Sequence, residues 1–117
     1  FFTKIKQQGA LSAKGRLLGI QFDTLFKDNL YLEISKNAIQ TSGRLKKALQ
    51  EKGYQLLMDS PTNQIFVILE DKKLQELQQK DVRCSLWERQ DENHMVVRFA
   101  TSWGTEMEEI EELIGLL

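Results

Sequence analysis

Gln64-Ile65-Phe66-Val67-Ile68-Leu69 decides the fold class. Five apolar residues in succession, Ile65 to Leu69, put side chains of one character on both faces of a strand. That pattern is expected of a central strand covered on each side, not of a half-exposed one. Downstream, Asp71 can cap a short helix carrying Leu74 and Leu77. Val82-Arg83-Cys84-Ser85-Leu86 and Met95-Val96-Val97-Arg98-Phe99-Ala100 read as two further strands, with Asp91-Glu92-Asn93 turning between them. Thr105 and Glu108 have the spacing of a capping box for a last helix, Glu106 to Leu117, with Met107, Ile110, Leu113 and Ile114 in one stripe.

Upstream, Tyr54-Gln55-Leu56-Leu57 reads as a short strand, and Gly53 stops a helix that runs from Leu30 to Lys52. Leu30, Ile34, Ala38, Leu45 and Leu49 form its buried face. A first helix is marked by Leu11, Leu18, Phe22, Leu25 and Phe26, all on one stripe. Gly15 and Gly19 interrupt it, each costing about 1 kcal/mol relative to alanine, which predicts close approach by another backbone. The order α-α-β-β-α-β-β-α defines an α+β domain with a small sheet against helices, in two layers.

At 117 residues the chain suits one core and not two. Sixteen Lys and Arg balance seventeen Asp and Glu, so no global field draws it to nucleic acid. One cysteine excludes an intrachain disulfide framework or a cysteine-based zinc site. No apolar run approaches the roughly 18–20 residues of a membrane span, and no signal peptide opens the chain, so a cytoplasmic domain is expected. Charge is unevenly spread: residues 1–50 carry nine basic and three acidic side chains, and residues 88–117 carry eight acidic and two basic ones.

No self-contained active site assembles from these residues. His94, the only histidine, sits in a polar turn without a second nitrogen ligand, and no metal site is expected. Cys84 has the setting of a buried, inert thiol. Glu106, Glu108, Glu109, Glu111 and Glu112 complement a helix dipole. Arg98 is different, because it interrupts an apolar strand on the face shared with Val96 and Ala100. Two readings fit it. It is an edge-strand arginine reaching solvent or a helix carboxylate, or its fork is aimed at a ligand carboxylate, whose geometry it matches two for two. Lys4, Lys6, Lys14 and Arg16, interleaved with Gly9, Ala10, Ala13 and Gly15, form a second candidate patch, where small residues would let a phosphate approach the backbone.

The run Ile5-Lys6-Gln7-Gln8-Gly9-Ala10-Leu11-Ser12-Ala13-Lys14-Gly15-Arg16-Leu17-Leu18-Gly19-Ile20-Gln21-Phe22 resembles a segment of the threonine aldolase and β-eliminating lyase family. Ser60-Pro61-Thr62-Asn63-Gln64-Ile65-Phe66 and Val97-Arg98-Phe99-Ala100-Thr101-Ser102-Trp103 continue the likeness along the chain. It departs from the family pattern at Gln8, where that pattern carries arginine. The resemblance implies a pyridoxal 5'-phosphate enzyme of the aspartate aminotransferase fold, fold type I. It further implies that this chain is only the C-terminal part, beginning within a longer protein. Residues 1–28 would be the linking helix from a missing N-terminal large domain, and residues 29–117 the small domain.

The Schiff-base lysine would then lie upstream, leaving no catalytic residue here and no covalently held cofactor. By the family pattern Arg98 clamps the substrate carboxylate, while Lys6 and Arg16 are candidates for the cofactor phosphate. The implied reaction cleaves the Cα–Cβ bond of a β-hydroxy-α-amino acid to glycine and an aldehyde, in a homo-oligomer. The competing expectation is a stand-alone ferredoxin-like module that binds a small ligand or mediates interaction.

Overall fold

A computed structural model describes residues 1–8 and 13–117 of the chain. They form two units, Phe1–Glu33 and Ile34–Leu117. The helices are α1 (Phe2–Gln7), α2 (Gly15–Phe26), α3 (Leu30–Glu51), α4 (Asp71–Gln79) and α5 (Met107–Leu116). The strands are β1 (Gln64–Glu70), β2 (Ser85–Arg89) and β3 (His94–Ala100). The class is α+β, as expected.

In the second unit the sheet runs β1-β3-β2, antiparallel throughout. The centre is therefore β3, and the expectation that Gln64–Leu69 is central is corrected. Its outer edge is nevertheless partly paired. On the edge away from β3, the Leu57 N–H donates to the Phe66 carbonyl and the Ile68 N–H donates to the Gln55 carbonyl, both at 2.9 Å. The expected strand Tyr54–Leu57 supplies only this isolated bridge, Leu56 opposite Val67, because the chain bends at Leu57 and Met58. The segment β1-α4-β2-β3-α5 follows a ferredoxin-like order but, among the described residues, without its fourth strand.

The strand expected at Val82–Leu86 begins at Ser85 and runs to Arg89. Asp81 takes a left-handed backbone, φ 60°, and the Val82 N–H reaches back to the Leu77 carbonyl at 2.9 Å. Val82 is thus tied to the end of α4, so pairing with β3 starts three residues later than its apolarity implied. Asp71 does not cap α4. Glu70 holds the cap position without a side-chain bond, and the Asp71 carboxylate takes Arg89 Nη1 at 2.7 Å. The last capping box is also displaced by one residue. Glu106 and Glu109 form it, while Thr105 Oγ1 accepts the Ser102 N–H at 2.9 Å.

The core lies on one face of the sheet. Ile65, Val67 and Leu69 of β1, with Val97 and Phe99 of β3, meet Leu45 and Leu49 of α3, Leu74 and Leu77 of α4, and Ile110 of α5. Alternation along β3 therefore assigned this face correctly. The end of α3 is set by Gly53 at φ +85°. The Tyr54 N–H bonds the Leu49 carbonyl at 2.9 Å and the Gly53 N–H bonds that of Gln50 at 3.0 Å, a Schellman closure. A Cβ at Gly53 meets nothing within 4 Å, so only the backbone resists substitution. Gly53→Ala is expected to destabilise the unit by about 1 kcal/mol, read as a lower urea midpoint at unchanged slope. A neutral result would show that the turn relaxes.

Asn37 ties α3 to the turn after β3. Its side-chain amide donates to the carbonyls of Trp103 and Thr105, both at 3.0 Å, and to Ser102 at 3.3 Å. Thr101 Oγ1 adds a bond to the Ala38 carbonyl at 2.6 Å. Trp103 is thereby held on an ordered turn although it is exposed.

In the first unit the expected single helix is two, α1 and α2. Leu11 of the expected stripe, and Gly9 and Ala10 beside the basic residues, lie outside the described residues. Leu18, Phe22 and Phe26 are exposed, with Phe22 and Phe26 stacked at 6.0 Å. Nothing lies within 4 Å of a Cβ built on Gly19, so the close backbone approach expected there is not found among the described residues. Leu30, expected on the buried face of α3, is also exposed. Asp28 and Asn29, at φ 52° and 61°, separate α2 from α3. No described helix is long and apolar enough to cross a membrane.

Candidate functional site

Arg98 stands opposite Phe66 of β1 and Ser85 of β2 in the antiparallel register, so the three side chains share the sheet face away from the core. Being on the central strand, Arg98 is not the edge arginine of the first reading. No helix carboxylate takes it either. Among the described residues, Arg44 holds Glu111 at 2.7 Å, Arg89 holds Asp71 at 2.7 Å and Arg83 holds Asp81 at 3.6 Å, whereas Arg98 holds no carboxylate.

Its surroundings are aromatic instead. The Arg98 guanidinium carbon lies 5.6 Å from the Trp87 ring centroid, within the range of a cation–π contact. Trp87 meets Phe66 edge to face, with centroids 5.0 Å apart. Arg98 Nη2 reaches Ser85 Oγ at 3.4 Å, and Nε is buried with no hydrogen-bond partner among the described residues. An unpaired buried donor is unfavourable. The structure thus holds a charged, half-buried fork with donors to spare. A carboxylate is the acceptor whose charge and planar shape such a fork fits.

A cleft of about 400 Å³ opens at the end of β3 that carries Arg98, lined also by Ser85, Cys84, Thr105 and Glu109. The Glu109 carboxylate accepts the Glu106 N–H at 3.0 Å and makes no ion pair with Arg98 among the described residues. Cys84 lies just before β2 and is half-buried. Burial pushes its thiol pKa upward, which suits an inert side chain and not a nucleophile.

Lys6 on α1 and Arg16 on α2 are exposed in the first unit, and Arg98 belongs to the second. Neither Lys6 nor Arg16 meets a carboxylate among the described residues. They offer a phosphate charge but, among the described residues, build no enclosure for it. His94 begins β3 half-buried, with Nδ1 2.8 Å from Asp91 Oδ1. The Asn93 backbone N–H and then the His94 ring hold the Asp91 carboxyl below the usual carboxylate range. Among the described residues no three His, Cys, Asp or Glu side chains gather as a metal site.

Trp87 was not visible from the sequence as part of this site. The strand reading ended at Leu86, and a bulge between Leu86 and Glu88 breaks the alternation that would have placed it. An aromatic residue one step beyond an expected strand, beside a lone arginine in the next, is the only signal available.

No protein-family model and no curated protein matches the chain. Among solved structures, the Leishmania major threonine aldolase superposes with a TM-score of 0.85 at 39% identity, over 96% of this chain and 32% of that one. A Sphingomonas wittichii serine palmitoyltransferase matches with a TM-score of 0.62 at 20% identity, over 72% of this chain and 23% of that one. The second likeness attests the fold alone. The three antiparallel strands and their helices match a small domain of fold-type-I enzymes.

The resemblance to threonine aldolases read from the sequence holds: the chain is 39% identical to one over 96% of its own length. It spans about a third of the length of the threonine aldolase it matches, 32%.

Proposed function

We propose that the chain is the C-terminal small domain of a pyridoxal-phosphate-dependent lyase of the low-specificity threonine aldolase kind. The longer enzyme cleaves the Cα–Cβ bond of β-hydroxy-α-amino acids to glycine and an aldehyde. One observation carries this reading: an arginine on the central strand with no carboxylate of its own among the described residues, in a chain 39% identical to a threonine aldolase over 96% of its length. In this role Arg98 binds the substrate α-carboxylate and fixes the rotation about the bonds at Cα, which selects the bond that breaks.

Bound pyridoxal phosphate supplies the electron sink for that step. Lys6 and Arg16 are suited to the charge of its phosphate. Residues 1–28 serve as the link from a large N-terminal domain and residues 29–117 as the small domain of a cytoplasmic homo-oligomer.

Because the Schiff-base lysine belongs to the large domain in this reading, the 117-residue chain alone is inactive. Incubating it with pyridoxal phosphate and reducing with borohydride is expected to leave no stoichiometric adduct by mass spectrometry. Quantitative labelling of one lysine would overturn that assignment.

A further inference from the structure

The sheet face that carries Arg98 is built to aim it. β1 and β2 flank β3, so their backbones stand about 9–10 Å apart across two strand spacings. Yet the Phe66 and Trp87 rings, one from each flanking strand, meet at 5.0 Å. Both therefore lean inward over β3. In the register, Leu86 faces Val97 and Glu88 faces Val96, which leaves Trp87 as the extra residue of the bulge. A bulge of this kind re-aims the side chain it frees.

The consequence for the guanidinium is geometric. The Trp87 face lies 5.6 Å from its carbon and Nε is closed off from solvent. Ser85 Oγ takes Nη2 at 3.4 Å from the β2 side. An arginine side chain free in water samples many rotamers. One held on an indole face presents the same edge continuously and loses less entropy when it binds.

We propose that Trp87 is a positioning residue for the carboxylate clamp, holding the Arg98 fork in the orientation that receives a substrate α-carboxylate. This inference rests on the clamp reading of Arg98. Trp87 acts through Arg98 and touches no reacting atom, so its removal weakens substrate binding and spares the chemical step.

The test uses the full-length enzyme with L-threonine as the probe, and compares Trp87→Phe, Trp87→Leu and Arg98→Ala. Trp87→Leu keeps an apolar filler and removes the aromatic face, and it is expected to raise KM about three- to thirtyfold with kcat within about twofold. Trp87→Phe keeps a face and restores KM to within about threefold of the parent. A Trp87→Leu enzyme with the parental KM would overturn the proposal, since packing alone would then suffice. So would a Trp87→Phe enzyme as impaired as Trp87→Leu.

Arg98→Ala separates the two levels. If it leaves KM unchanged, the clamp reading itself falls; if it raises KM while Trp87→Leu does not, only the positioning role falls. A readout independent of turnover uses the 117-residue chain with Trp103→Phe, which leaves Trp87 as its sole tryptophan. Adding Arg98→Ala to that variant is expected to change the Trp87 emission maximum or intensity. An identical spectrum would show that the stack is absent in solution and overturn the proposal.

Discussion

On the proposed reading, replacing Arg98 by alanine in the full-length enzyme is expected to raise the KM for a β-hydroxy-α-amino acid roughly ten- to a hundredfold, with the cofactor absorbance unchanged. The magnitude follows from losing a charge-assisted hydrogen bond, worth about 1.5–3 kcal/mol, at about 1.4 kcal/mol per tenfold. The sign follows from the site: no carboxylate of the described chain answers this guanidinium, so removing it deprives a ligand and breaks no internal ion pair, only the weaker contacts to Trp87 and Ser85. Because Nε is already buried without a partner, deletion also relieves an unfavourable donor. Folding stability should therefore hold while binding fails. Arg98→Lys is expected to recover little, since an ammonium offers neither the paired donors nor the planar face that lies on Trp87. Unchanged kinetics in Arg98→Ala would refute the clamp.

Replacing Leu49 by alanine has the opposite profile. Leu49 is fully buried among residues of α3, β1, β3, α4 and α5. Truncation there is expected to destabilise the second unit by about 3 kcal/mol, combining lost transfer energy with a cavity that the sheet cannot close. Its carbonyl still accepts the Tyr54 N–H, so the helix terminus survives and the loss reports packing alone. Urea unfolding measures it as a lower midpoint at constant slope. Exposed Met58→Ala, as the control, should stay within about 0.5 kcal/mol. A Leu49→Ala loss below about 1 kcal/mol would mean that the core repacks.

These two residues also show what the chain disclosed in advance. Leu49 was legible because helical periodicity and a Gly53 stop are local signals, and burial followed from them. Arg98 stood out because a charge interrupts an apolar strand, and the family resemblance then proposed a ligand for it. Strand boundaries were less legible. Val82 looks like strand but is held by the α4 terminus, and Tyr54–Leu57 looks like strand but makes a single bridge before the chain bends. Both outcomes are set by backbone hydrogen bonds, Val82 to Leu77 and the Leu56 bridge to Val67, which side-chain patterns do not encode.

The last capping box slipped by one residue because Thr105–Glu108 and Glu106–Glu109 have the same spacing. What separated them was the Ser102 N–H, which occupies Thr105 Oγ1. The aromatic stripe of α2 was read correctly as a stripe, but its residues are exposed in the first unit. Periodicity says which face is apolar and not what covers it. Trp87 was missed because the bulge suspends the very rule by which strands are read.

That bulge has a second effect. Among the described strands β2 has no neighbour on its outer side, and all its residues, from Ser85 to Arg89, are exposed. A straight, regular strand with Leu86 and Trp87 at such a border would be a template for stranger chains to pair with. The irregularity between Leu86 and Glu88 interrupts the flat row of amides and carbonyls, and Glu88 and Arg89 follow it with charge. A single inserted residue thus breaks the regular edge at the same point where it frees an indole to meet the arginine. A variant with this strand straightened is expected to aggregate more readily and, on the proposed reading of Arg98, to bind substrate less tightly.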